Sequence, residues 1–191
     1  MDYELRIFTK NYKSIVPGLN ITESQPAFTG KVEYEVCPEW KPHYITKQSG
    51  KYFAHKREAI DDKSRKLEKF KKYECSSIEE CNRKLLGNSA KVPAFEQVVI
   101  DKRVWQDKEA GAGVVIEISE LSVIFSNQTM KWYCSNIFGP EKCIVEVLEK
   151  SGKSIDEVCG DGWDESVRLI GGYGKFLNQV LEDIDPFSGY E

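Results

Sequence analysis

Six cysteines and two histidines are the side chains of this 191-residue chain best suited to nucleophilic or metal chemistry, and their spacing supports neither. Cys37, Cys75, Cys81, Cys134, Cys143 and Cys159 contain no Cys-x-x-Cys pair, and only His43 and His55 could complete a zinc ligand set. His43 follows Pro42 and His55 precedes Lys56. Either could act as a base toward a cysteine, but no motif pairs them. Gly-x-Ser-x-Gly and His-Glu-x-x-His are both absent. A chain long enough to build its own core has no need of disulfides, so the cysteines read as reduced, buried packing residues.

The densest cluster of oxygen donors is Cys159–Ser166, where Asp161, Asp164 and Glu165 could approach Mg²⁺ or Ca²⁺. Neither the alternating acids nor the closing glutamate of an EF-hand can be placed there. Asp161 as a helix N-cap, with Asp164 three residues on, accounts for the same residues. No metal and no cofactor are expected. The run Gly171-Gly172-Tyr173-Gly174-Lys175 is not a phosphate-binding loop of the Gly-x-x-x-x-Gly-Lys-Ser/Thr kind, because Leu169 and Phe176 occupy its outer positions. Each glycine within a helical stripe costs ~1 kcal/mol relative to alanine. Three of them imply a break between helices joined to a close helix crossing, with backbone approach to a ligand or partner as the alternative.

Charge is distributed unevenly. Between His55 and Lys72 eight bases face four acids, and Lys63, Lys66, Lys69, Lys71 and Lys72 could together engage an anion such as a phosphate backbone. The interleaved acids equally describe a solvated helix with internal ion pairs. From Gly139 to Glu191 twelve acids face five bases. Such a surface steers basic partners, and Asp161, Asp164, Glu165, Glu182, Asp183 and Asp185 are its candidate contacts.

These residues must be carried by definable elements. Tyr3–Phe8 and Lys31–Val36 alternate with period two, as half-buried strands do. Tyr44-Ile45-Thr46 and Tyr52-Phe53-Ala54 flank a Ser49-Gly50 turn and read as a hairpin. Lys56–Tyr73 lacks proline and glycine, and Ile60, Leu67 and Phe70 recur at helical spacing, which predicts a thinly amphipathic helix. Ser76 or Ser77 with Glu79 or Glu80 forms a capping box for a helix ending near Leu86. Val98–Ile100, Val114–Ile118, Leu121–Phe125 and Lys131–Cys134 have strand composition. Pro140 opens a helix with Cys143, Ile144, Val147 and Leu148 on one face, and Ser154–Glu157 offers another capped start. Val167, Ile170, Leu177, Val180, Leu181 and Ile184 line a final helix.

Strands early and helices late predict one α+β domain over residues 1–191, a mainly antiparallel sheet from the N-terminal two-thirds packed with helices in the middle and the C-terminal quarter. With no apolar leader after Met1 and no continuous apolar span, a cytoplasmic protein outside the membrane is expected. The 21 lysines against 6 arginines suit an AT-rich genome and an accessory protein of a large phage or virus. The leading functional expectation is a non-enzymatic protein-interaction module, an inhibitor of a host macromolecular enzyme acting through the acidic C-terminal surface. The alternatives are a small enzyme acting on nucleotides or nucleic acid, and a nucleic-acid binder using the basic 55–72 helix.

Overall fold

The computed structural model describes residues 3–10, 25–59, 67–111, 113–150 and 168–184. Among the described residues nine strands run β1 (Tyr3–Thr9), β2 (Phe28–Val36), β3 (Tyr44–Gln48), β4 (Lys51–Ala59), β5 (Glu68–Cys75), β6 (Glu96–Gly111), β7 (Val114–Phe125), β8 (Gln128–Gly139) and β9 (Arg168–Ile170). They are accompanied by α1 (Ile78–Leu86), α2 (Glu141–Lys150) and α3 (Tyr173–Ile184).

The strand order β5-β4-β3-β2-β6-β7-β8-β1 returns on itself, because β1 also pairs with β5 through Tyr3–Lys69 and Glu4–Glu68. The result is a closed eight-stranded antiparallel barrel, with β9 added beside the C-terminal half of β1. This corrects the expected α+β layering. The described residues are mostly sheet, with α1 and α2 packed outside the barrel and α3 against its inner face. Residues 56–73 are corrected in the same way: their described part forms β4 and β5, not a basic helix, and Lys56 pairs with Lys71 across the two strands.

Two tight hairpins set the register of this sheet. Ser49 and Gly50 join β3 to β4 with φ 51° and 79°, and Ser126 and Asn127 join β7 to β8 with φ 51° and 62°. Left-handed pairs of this kind match the twist of the strands they connect. Ser77 caps α1 by accepting from the Glu80 amide at 3.2 Å, and Glu80 returns by accepting from the Ser76 amide at 2.7 Å.

Period-two alternation gives the barrel two buried faces. Outward-facing Leu5, Ile7, Val114, Ile116 and Ile137 pack under Ile144, Val147 and Leu148 of α2. Cys37, Trp40, Ile45, Ala54 and Cys75 pack under Cys81 and Leu85 of α1, where Trp40 Nε1 donates to Asn82 Oδ1 at 2.8 Å. Inside, Phe8, Val32, Tyr34, Val98, Ile100, Leu121, Val123 and Trp132 converge from five strands on Tyr173, Phe176, Leu177 and Val180 of α3. Phe8 and Phe176 stack with centroids 3.9 Å apart. α3 therefore fills the apolar part of the interior.

The glycine run lies at the entry to that helix, where β9 ends at Ile170, and so joins a strand to a helix rather than two helices. The final helix begins at Tyr173, not upstream of the glycines. A Cβ on Gly174 would collide with the backbone carbonyls of Pro42 and His43. One on Gly172 would overlap the Arg57 guanidinium. Ser154–Glu157 and Val167 lie outside the described residues.

Candidate functional site in the barrel interior

The inward face of the barrel changes character away from α3. On β1 the inward residues are Glu4, Arg6 and Phe8, since Leu5 and Ile7 point to α2. His55 and Arg57 of β4 share a face with Lys72 and Phe70 of β5 through their cross-strand pairs. Lys102 of β6 pairs with Leu121 of β7, and Glu117 of β7 pairs with Asn136 of β8. An eight-stranded barrel has an interior just wide enough for its side chains or one small ligand. Ionised groups gathered there must answer to each other or to a ligand.

Most of them answer to each other. Arg57, with 3% of its side chain exposed, is ion-paired to Glu4 and donates through Nε to Glu68 at 2.7 Å. Arg6 donates through Nε to Glu4 at 3.3 Å and through a terminal nitrogen to Cys134 Sγ at 3.4 Å. Burial raises the Glu4 pKa, but the Arg6 and Arg57 charges and hydrogen bonds outweigh it and hold the carboxyl at about 2. Burial raises the Cys134 thiol, against the pull of Arg6. Asn136 Nδ2 donates to Glu4 at 3.3 Å, while its buried Oδ1 has no hydrogen-bond partner among the described residues.

Lys102 is different. Its Nζ lies 4.1 Å from the Tyr173 ring centroid and 4.9 Å from that of Tyr34, and it makes no salt bridge among the described residues. The Arg6 guanidinium lies 4.7 Å from the same Tyr173 ring, so two cations share one phenol. Burial first and the Arg6 charge second push the Lys102 ammonium down to about 7. Burial raises Tyr34 and Tyr173 well above the usual phenol range and Tyr44 to about 12. His55 stacks on Tyr44 with centroids 4.4 Å apart and shares a 2.7 Å hydrogen bond with Thr46 Oγ1. Burial, with Lys72, Lys102 and Arg57 nearby, holds His55 neutral with a pKa of about 3.

The anion-binding residues expected from sequence are divided by this geometry. Lys69 and Lys71 lie on the outer face of β5, where Lys69 pairs with Glu58, while Lys72 shares the inner face with His55. Lys63 and Lys66 lie outside the described residues, as do Asp161, Asp164, Glu165 and Asp185 of the acidic set. Glu182 and Asp183 are exposed on α3, and Asp183 accepts from Gln179 at 3.2 Å. Glu4, Arg6, Arg57 and Lys102 were not among the expected site residues. The Glu4-x-Arg6 alternation was visible, but nothing in it distinguishes the inside of a barrel from solvent. A surface concavity of about 630 Å³, bordered by Phe28, Lys31, Glu33, Lys47, Val99 and Ile124, contains none of the interior charges.

Among the described residues no three His, Cys, Asp or Glu side chains are placed to hold a metal ion, and no helix is long and apolar enough to cross a membrane. No family model matches the chain, and no curated protein matches its sequence. Among solved structures it is similar to the PH1819 protein from Pyrococcus horikoshii OT3, with 16% identity and a TM-score of 0.49 over 94% of this chain and 99% of that one.

Proposed function

We propose that the barrel interior binds a phosphate-bearing small molecule of the nucleotide class, with Arg6 and Lys102 as its principal anion contacts. The observation that carries this reading is Lys102 beside Arg6, two half-buried cations on the Tyr173 ring, with the Glu4 carboxylate committed to the arginine. Like charges held together and partly withdrawn from water are stabilised by an anion between them, and a guanidinium with a neighbouring ammonium is the usual protein answer to phosphate. Glu4 and Glu68 serve here to orient the guanidinium groups. An arginine and a lysine fixed on phosphate oxygens are also what phosphoryl transfer requires, so the site suits an enzyme acting on nucleotides.

Calorimetry with ATP, tripolyphosphate and adenosine tests the reading. ATP and tripolyphosphate should bind and adenosine should not. Lys102→Met should weaken both by roughly tenfold or more, the worth of one charge-assisted contact. Failure of both phosphates to bind, or binding indifferent to Lys102→Met, overturns it.

The acidic interaction surface remains a separate proposal, supported by the exposure of Glu182 and Asp183. Slower association of Glu182→Gln and Asp183→Asn with an isolated partner protein would support it, and an unchanged association rate would count against it.

A further inference from the structure

We propose that Lys102 is the proton-linked element of this site: an entering phosphate-class anion charges it, and ligand capture takes up one proton from solvent. The proposal rests on the binding reading above.

Lys102 lies in a cluster of charged and phenolic groups. Arg6 and Glu4 face it from β1, Tyr34 from β2, His55 from β4, Glu117 from β7, Cys134 from β8 and Tyr173 from α3, with Tyr44 of β3 beside Tyr34 and Tyr173. Glu4 is engaged by two guanidinium groups, and Glu117 accepts from Gln106 Nε2 at 3.3 Å. The immediate neighbours of the Lys102 nitrogen are two phenol rings and a like charge. A ring face attracts a cation only weakly, by comparison with a carboxylate. Lys102 is therefore the cation most in want of an anionic partner.

The surrounding groups hold their charge states near neutrality. Arg6 and Arg57 are raised further into their charged forms and Glu4 stays ionised down to about 2. His55 stays neutral above about 3, and Tyr34, Tyr44, Tyr173 and Cys134 are all raised as neutral groups. Lys102, lowered to about 7, is the member that changes charge in this range. A phosphate reaching Arg6 enters the field of Lys102 and favours its charged form. The sign follows by linkage. Below about 7 the site is charged before the ligand arrives, and affinity is at its highest. Above it, the lysine must first take up a proton, and affinity falls by about tenfold per pH unit.

Metal-free ATP is a suitable probe between about pH 7.5 and about pH 9, since the second ionisation of its terminal phosphate, near 6, is then complete. Calorimetry in two buffers of different ionisation enthalpy should show uptake approaching one proton per ATP and affinity falling by about tenfold per pH unit. Lys102→Arg should keep binding while losing both the uptake and the pH dependence, because a guanidinium does not titrate in this range. Wild-type binding with no uptake and a flat pH profile overturns the linkage and leaves the binding reading standing. Uptake that persists in Lys102→Arg assigns the proton elsewhere and also overturns it. No ATP binding at any of these pH values overturns the binding reading, and the linkage with it.

Discussion

Arg57 on β4 is ion-paired to Glu4 on β1 and donates to Glu68 on β5 at 2.7 Å, so one buried guanidinium ties three strands together where the barrel closes. The direct β1–β5 pairing there involves only Tyr3–Lys69 and Glu4–Glu68. Removing one partner of a buried pair leaves an uncompensated charge, which costs ~3–5 kcal/mol. Arg57→Met should therefore lower the midpoint of urea unfolding by that equivalent, while Lys51→Met, which breaks an exposed pair with Glu74, should shift it by under ~1 kcal/mol. Equal effects from the two variants would contradict a closing role for Arg57.

The same cluster sets an acid limit. Glu4 titrates at about 2 in the fold against an ordinary 4.5, so its contribution to stability is complete above about 4.5 and is lost as pH falls toward about 2. The difference is worth roughly 3 kcal/mol. Glu4→Gln should unfold at lower denaturant concentration at neutral pH and lose less than wild type between those two pH values. A wild-type curve as flat as the variant's would show that Glu4 is not held by its arginines.

His55 adds a second window at higher pH. Its folded pKa of about 3 lies below the ordinary 6.5, so the unfolded chain takes up the proton first and stability falls as pH drops below about 6.5. The slope is at most about 1.4 kcal/mol per pH unit. His55→Gln cannot titrate. Its stability should fall less steeply than wild type's between about pH 6.5 and about pH 4.5, the remaining decline coming from His43, which burial also lowers, while Glu4 is still silent.

Thiol accessibility differs sharply within the barrel. Cys37, Cys75, Cys81 and Cys134 are buried free thiols, whereas Cys143 is half-buried on α2. Burial pushes Cys37 up to about 11, and burial with a hydrogen bond donated to Cys75 raises Cys81 further. Brief alkylation of the native protein followed by peptide mass spectrometry should label Cys143 well ahead of those four. Early labelling of Cys75 or Cys81 would show that α1 opens from the barrel wall.

What the sequence hid follows from the charged interior. Tyr3–Phe8, Lys31–Val36 and the hairpin around Ser49-Gly50 were legible because one face is apolar or a turn is chemically marked. The Ser77–Glu80 cap was legible because it is local. On β4 and β5 the inward face carries the polar His55, Arg57, Glu68 and Lys72 beside Phe70, and the outward residues Lys56, Glu58, Lys69 and Lys71 are polar too. Alternation between apolar and polar is erased there, and the sparse apolar residues fall by chance at helical spacing. Arg6 was hidden by the opposite effect: Leu5 and Ile7 looked like the core face because α2 covers them outside, which left Glu4 and Arg6 looking solvated. Barrel closure joins residues about sixty-five positions apart, and no local pattern records such a pairing.

Gly172, just before α3, and Gly174, in its first turn, make the last test, because they separate two kinds of close approach. A methyl at position 174 meets the backbone carbonyls of Pro42 and His43, which cannot move without shifting the loop before β3. A methyl at 172 meets the Arg57 side chain, which can yield but would leave its partners Glu4 and Glu68. Overpacking of a tight site costs ~1–3 kcal/mol. Gly174→Ala should therefore destabilise the fold at every pH, since nothing titratable is displaced. Gly172→Ala should lose stability mainly above about pH 4.5, where Glu4 is ionised in either state and feels the loss of Arg57, and approach wild type as Glu4 is protonated. Urea unfolding of both variants at about pH 7 and about pH 3 distinguishes the two mechanisms. Equal pH dependence in the two variants would show that Gly172 does not position Arg57.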